Sequence, residues 1–91
     1  MIVDQSTKRL NDLRIQYQIA YSSLPKYRAS QCGYLFYQAQ EALDEALSAI
    51  VSDDFFKCAQ CDVHLNSRLD LIDNLLQKSR QRTKSKKMKK P

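Results

Sequence analysis

The sequence predicts an all-α protein, either an antiparallel three-helix bundle or an extended helical hairpin with a packed N-terminal helix. The 91 residues include one glycine and two prolines, too little turn chemistry for a hairpin-rich β protein. Apolar residues recur at steps of three and four along three long segments, which places them on one face of a helix. A chain of this length forms one domain.

The first helix is predicted from Asp4 to Ser23. Its core stripe consists of Val3, Ser6, Leu10, Leu13, Tyr17, Ala20 and Leu24. Pro25 ends this helix, because proline lacks the amide hydrogen that continues the ladder and restricts the residue before it.

The second helix is predicted from Lys26 to Val51. Its stripe consists of Ala29, Cys32, Phe36, Ala39, Leu43, Ala46 and Ile50, and Leu35, Ala42 and Leu47 widen it on both sides. A stripe this wide is typical of a helix with two neighbours. Gly33 is its weak point, costing about 1 kcal/mol relative to alanine.

The third helix is predicted from Phe55 to Lys78, after a break at Ser52 in which Asp53 and Asp54 cap the helix start. Its stripe consists of Phe55, Cys58, Leu65, Leu69, Ile72 and Leu76, and Asp62 interrupts the first half. Short connections between the helices favour antiparallel neighbours.

The chain divides by charge into a helical bundle domain, residues 1–78, and a basic tail, residues 79–91, that is expected to be disordered when unbound. The last fourteen residues contain eight cations and no acid: Lys78, Arg80, Arg82, Lys84, Lys86, Lys87, Lys89 and Lys90. Residues 1–77 contain the other seven cations and all ten acids, so their net charge is near −3. A block of like charge this dense usually acts as an interaction arm.

Several apolar side chains fall outside the core stripes. Ile15 with Ile19, and Leu71 with Leu75, form i, i+4 pairs on the wrong faces of their helices. They predict self-association into a homodimer or larger assembly, although isolated surface apolar residues are also common. Three tyrosines on the outer side of the second helix either join such an interface or lean over the core edge: Tyr27, Tyr34 and Tyr37.

The segment from Cys58 through Cys61 to His64 has the residue types of a metal site. On one continuous helix these side chains rotate away from each other, and no second ligand pair completes a tetrahedron, so no metal or other cofactor is expected. Cys32 and Cys58 are better explained as small buried hydrophobes. With one histidine, no positioned nucleophile and no glycine-rich phosphate loop, the chain is not expected to be an enzyme.

Two functions remain. The first is a non-enzymatic, oligomeric helical protein that binds RNA or DNA phosphates non-specifically through its basic tail. The alternative is a helical adaptor or assembly protein whose apolar pairs hold a protein partner. The tail composition also fits a nuclear localisation signal, an anionic lipid contact, an acidic protein contact or a solubilising terminus. No membrane span or secretory signal is expected, which indicates a cytoplasmic protein, or a nuclear one in a eukaryote.

Overall fold

The computed structural model describes the backbone of residues 2–88 and the side chains of residues 3–77. That part of the chain forms three α-helices, α1 (Ile2–Ala20), α2 (Lys26–Val51) and α3 (Phe55–Met88), with a 3-10 turn at Tyr21–Ser23 between the first two. The predicted all-α class and three-helix arrangement are confirmed. The molecule is a rod of 59 × 22 × 16 Å.

The helices run up, down and up. The side chain of Arg14 on α1 reaches Gln40 on α2, whereas residues earlier in α1 reach the first half of α3. The two helices α2 and α3 form the more extensive contact, and α1 packs along the hairpin that they make. The start of α1 therefore lies at the same end of the rod as the α2–α3 turn.

The α2–α3 turn is built by its three polar residues. Asp53 has a φ of 57°, the left-handed conformation that commonly ends a helix, and its amide donates to the carbonyl of Ile50 over 3.0 Å. The Oδ1 atom of Asp54 accepts a 3.1 Å bond from the amide of Lys57, which is an N-cap interaction. The predicted break and cap are therefore where the sequence placed them.

The core follows the predicted stripes closely. Its buried apolar members on α1 and the following turn are Val3, Leu10, Leu13 and Leu24. On α2 they are Cys32, Phe36, Ala39, Leu43, Ala46 and Ala49, and on α3 they are Cys58, Cys61, Leu65, Leu69, Ile72 and Leu76. The alanines of α2 let the neighbouring helices approach closely.

Two stripe predictions were wrong. Phe55 is 70% exposed, because the core begins one turn later at Cys58, level with the start of α1. Leu47 was expected to widen the core face of α2 but is exposed. Ile50 is half-buried, and its neighbour Ala49 takes the fully buried position.

Helix α3 continues to Met88, ten residues beyond the predicted end at Lys78. No glycine or proline interrupts this stretch, and lysine, arginine and glutamine are good helix formers. The predicted tail, residues 79–91, overlaps this helix as far as Met88. Its side chains and residues 89–91 lie outside the described part, so its disorder in the unbound protein stays a prediction.

Candidate interaction surfaces

An open groove lies between α2 and α3. It has a volume of about 430 Å³ and is lined by Gln31, Tyr34, Leu35, Leu71, Asn74 and Leu75. Leu71 is 45% exposed, whereas Leu35 and Leu75 are half-buried against the core. The structure thus brings the predicted pair Leu71 and Leu75 next to Tyr34, which was selected separately. Leu75 was expected to lie opposite the core stripe, but its side chain packs against the core and also lines the groove.

The tyrosines of α2 form an exposed row beside this groove. Tyr27, Tyr34 and Tyr37 are each more than half exposed. The guanidinium of Arg28 lies 5.7 Å from the centre of the Tyr27 ring and contacts its hydroxyl. Rings that keep this much surface in water are available for contact with a partner.

The apolar pair on α1 is separate from the groove. Ile15 and Ile19 are 56% and 76% exposed, and neither lines the groove. Nearby Tyr17 points the other way: its hydroxyl donates to the carbonyl of Ala29 over 3.0 Å, and its ring packs on Phe36 at 5.2 Å between centroids. This aromatic contact fixes α1 against α2 and leaves the isoleucines outside.

A further apolar patch, at the α2–α3 turn, was missed by the sequence analysis. Val51, Phe55 and Phe56 are 86%, 70% and 75% exposed. The signal available in the sequence was the Phe55-Phe56 doublet beside the polar turn, since neighbouring residues on a helix point about 100° apart and rarely become fully buried together at a helix end.

Charge is distributed unevenly along the rod. Between residues 41 and 62, at the turn end, there are six acids and one cation, and five of these acids are exposed: Glu41, Asp44, Glu45, Asp53 and Asp54. Residues 13–40, which lead into the opposite end, contain three cations, Arg14, Lys26 and Arg28, and no acid. The basic segment, residues 78–91, begins within α3 at that same opposite end. The start of α1 also lies at the turn end, where residues 2–12 add two acids and two cations, so that end stays acidic and the opposite end is basic.

The contact between α1 and α3 contains a ladder of hydrogen bonds. The hydroxyl of Ser6, which is 4% exposed, donates to Asp62 over 2.6 Å and accepts from the side-chain amide of Asn66 over 2.9 Å. Arg9 then donates to Asn66 over 3.2 Å and to Asp70 over 2.5 Å. Asp62, which interrupts the predicted core stripe of α3, therefore pairs with Ser6, and Asp70 pairs with Arg9 on α1.

The cysteines are buried free thiols. Burial raises the pKa of Cys32, and Arg28 partly opposes that shift. Burial also raises the pKa of Cys61, helped by the carboxylate of Glu45, which accepts its thiol hydrogen over 3.7 Å. A raised pKa keeps a thiol protonated and poorly nucleophilic.

His64 is exposed, whereas the three cysteines are buried. Within the described residues, no three His, Cys, Asp or Glu side chains lie close enough together to hold a metal ion. The eight predicted nucleic-acid contacts, which start at Lys78, have side chains outside the described range, so the structure does not place them.

Among the described helices, none combines the length and the apolar character that a membrane crossing requires. No family model matches this chain, and no curated protein or solved structure is detectably similar to it.

Proposed function

We propose that this protein binds RNA or DNA phosphates through the basic segment that ends α3, and that it has no enzymatic activity. One observation carries the proposal: fourteen consecutive residues contain eight cations and no acid, on a body that is itself acidic. Such a segment displaces condensed counterions from a nucleic acid and gains affinity without reading sequence. It contains no aromatic residue, so base stacking is not part of the contact.

The path of α3 supports this proposal. Glu45 on α2 contacts Cys61 on α3, and Leu35 on α2 lines the same groove as Leu71 on α3. These two pairs fix the antiparallel register of the helices. In this register Lys26, the first residue of α2, lies level with residue 80 of α3. The helix continues to Met88, which adds about 12 Å beyond the start of α2 at 1.5 Å per residue. The cationic stretch therefore extends past the acidic body, where phosphates can approach it.

The test is fluorescence anisotropy with a labelled single-stranded RNA and a labelled DNA duplex, at 50 and 200 mM salt. For about five duplex phosphate contacts, affinity should fall by several hundred-fold between these concentrations. Removing residues 79–91 should abolish most of the binding and flatten the salt dependence.

Two triple variants separate the segment from the net charge. The first, Lys84→Gln, Lys86→Gln and Lys87→Gln, should weaken binding by at least tenfold. The control, Lys8→Gln, Lys26→Gln and Lys57→Gln, removes three exposed cations from the body and should change it less than threefold. Equal effects of the two triples, or an unchanged affinity after deletion of the tail, would show that the proposal is wrong.

A second candidate function is a helical adaptor, and the observation that favours it is the groove of about 430 Å³ between α2 and α3. Grooves lined by leucine and tyrosine commonly hold the apolar face of a partner helix. If Leu71→Asp abolishes the biological function while deletion of residues 79–91 does not, the adaptor is the better description.

A further inference from the structure

We propose that the groove between α2 and α3 is the docking surface for a second copy of this chain, arranged antiparallel. In this dimer, when no nucleic acid is bound, the basic C-terminal segment of each copy lies along the acidic turn end of the other. The inference does not depend on nucleic-acid binding, and its tests contain no nucleic acid.

The groove has the composition of an interface centre. Leu71 keeps 45% of its surface in water beside the exposed ring of Tyr34, and Leu35 and Leu75 form the floor. Interface centres are apolar, rich in tyrosine and poor in charge, and the six groove residues include no charged side chain. A second copy of the same groove matches this surface in apolar character and in length.

The groove lies halfway along α3. Leu71 is sixteen residues from Phe55 and seventeen from Met88. A two-fold axis through this point reverses the second α3 along the first. The end of one α3 then lies beside the beginning of the other, within about one helical turn. A two-fold contact of this kind uses the same patch on both copies and closes at two subunits.

The charges select the antiparallel direction. The turn end has six acids and one cation between residues 41 and 62, and the segment at 78–91 has eight cations and no acid. A parallel dimer would place each end next to its like, whereas the antiparallel dimer matches opposite charges at both ends. Complementary charge of this kind fixes the orientation of an interface and speeds association.

The basic segment cannot lie along the acidic turn of its own chain. Helix α3 carries the segment away from its own turn, and Met88 is about 50 Å from Phe55 at 1.5 Å per residue. The three residues after Met88 span about 11 Å when fully extended. The segment of the same chain therefore cannot reach the turn while α3 stays helical.

Sedimentation equilibrium on the full chain tests the groove. The full chain should reach the mass of two subunits and stop there, and Leu71→Glu should raise the dimer dissociation constant at least tenfold. The matched control is Ile15→Glu, which places the same charge on an exposed residue of α1 and should change that constant less than twofold. Circular dichroism on both variants checks that the helices remain.

Three outcomes would overturn the proposal. These are a full chain that stays monomeric at millimolar concentration, a mass that keeps growing through head-to-tail contacts, and dissociation by Ile15→Glu in place of Leu71→Glu. The first would leave the groove to a different protein, and the third would move the interface to α1.

Zero-length crosslinking of the unmodified chain tests the direction and does not rely on a variant. A carbodiimide joins a carboxylate to a lysine amine that contacts it. With mixed ¹⁴N and ¹⁵N protein, mixed-isotope peptides should link lysines of residues 84–90 to Asp53 or Asp54. Crosslinked dimers without these links would rule out the antiparallel arrangement.

Discussion

Helix α3 is held by two unlike contacts. Against α2 it packs a long apolar seam in which alanines allow close approach, and against α1 it adds a ladder of hydrogen bonds that begins at Ser6 and ends at Asp70. The first contact is the more extensive. The α2–α3 hairpin therefore supplies most of the stability, whereas the ladder fixes where α1 sits along it.

The largest expected effect comes from cutting the apolar seam. Leu69 is fully buried, and Leu69→Ala should cost about 2–5 kcal/mol of unfolding free energy, because it removes apolar contacts and leaves a cavity. Leu13→Ala deletes the same atoms from α1 and should cost less if the comparison is right. Urea denaturation at constant m-value measures both.

Val63→Ala is the control for these truncations, since Val63 is exposed on the same helix, and it should change stability by less than about 0.5 kcal/mol. A larger loss for Leu13→Ala than for Leu69→Ala would reverse the ranking of the two contacts.

Breaking the ladder should have the next largest effect. Asp62→Ala removes the acceptor of the buried Ser6 hydroxyl and should cost about 1–3 kcal/mol. The double variant with Ser6→Ala should cost less than the sum of the two single changes, because the pair is coupled by more than about 0.5 kcal/mol. Thermal or urea unfolding of the unmodified chain, the two single variants and the double variant gives the coupling free energy between Ser6 and Asp62.

Asp73→Ala is the matched control for this cycle, because Asp73 accepts a 3.2 Å bond from Gln77 within α3 and makes no ladder contact. It should be nearly neutral. Strict additivity of Ser6→Ala and Asp62→Ala would show that the ladder is not a unit.

A smaller, stabilising effect is expected at Gly33. A Cβ atom there would lie 4.0 Å from the Tyr17 hydroxyl, an ordinary contact distance, and the backbone is helical. Gly33→Ala should therefore raise the free energy of unfolding by about 0.5–1 kcal/mol through reduced freedom of the unfolded chain. A fall in melting temperature would mean that α1 sits closer to α2 than the structure has it.

The last expected effect is that of pH on stability, which is negligible below pH 9 and arises from two buried thiols and the Tyr17 hydroxyl. In the folded protein the pKa of Cys32 and of Cys61 is raised from the usual 9.0, and that of Tyr17 from 10.0, with burial as the main cause in all three. As pH rises, the unfolded chain loses these protons at a lower pH than the folded protein does. The stabilisation of the folded state by the three protonated groups is therefore complete below pH 9 and is lost as pH rises through their folded pKa values.

Urea unfolding between pH 7.5 and 10.5 measures this loss, and Cys61→Ala should make the decline shallower. A stability that rises over the same range would contradict the direction of these pKa shifts.

Most of the fold could be predicted from the sequence, because the 3.6-residue period of a helix leaves a direct mark. The stripe from Val3 to Leu24 came from spacing, and the bounds of α2 came from Pro25 and from the polar break at Ser52. The pairing of Ser6 with Asp62 could not, because it joins residues 56 positions apart and needs the relative shift of α1 and α3. Spacing also failed at Phe55, where the period continues but the core has ended.

The groove could be predicted in part. Leu71, Leu75 and Tyr34 were selected because they miss their stripes, yet a helical wheel does not say which off-stripe residues of different helices meet. That choice depends on the register of α2 against α3, which places Tyr34 near Leu71 and leaves Ile15 elsewhere. The exposed patch at Val51 was missed for the same reason, since the end of the core is a property of all three helices together.

The reactivity of the three buried cysteines reports which end of the helical bundle separates. Cys32 lies beside Tyr17 near the end where α1 finishes, whereas Cys58 and Cys61 lie near the turn. These side chains are at most 7% exposed, so a thiol reagent reacts with them mainly when the surrounding helices separate. The order in which the peptides acquire label would therefore report which end frays first.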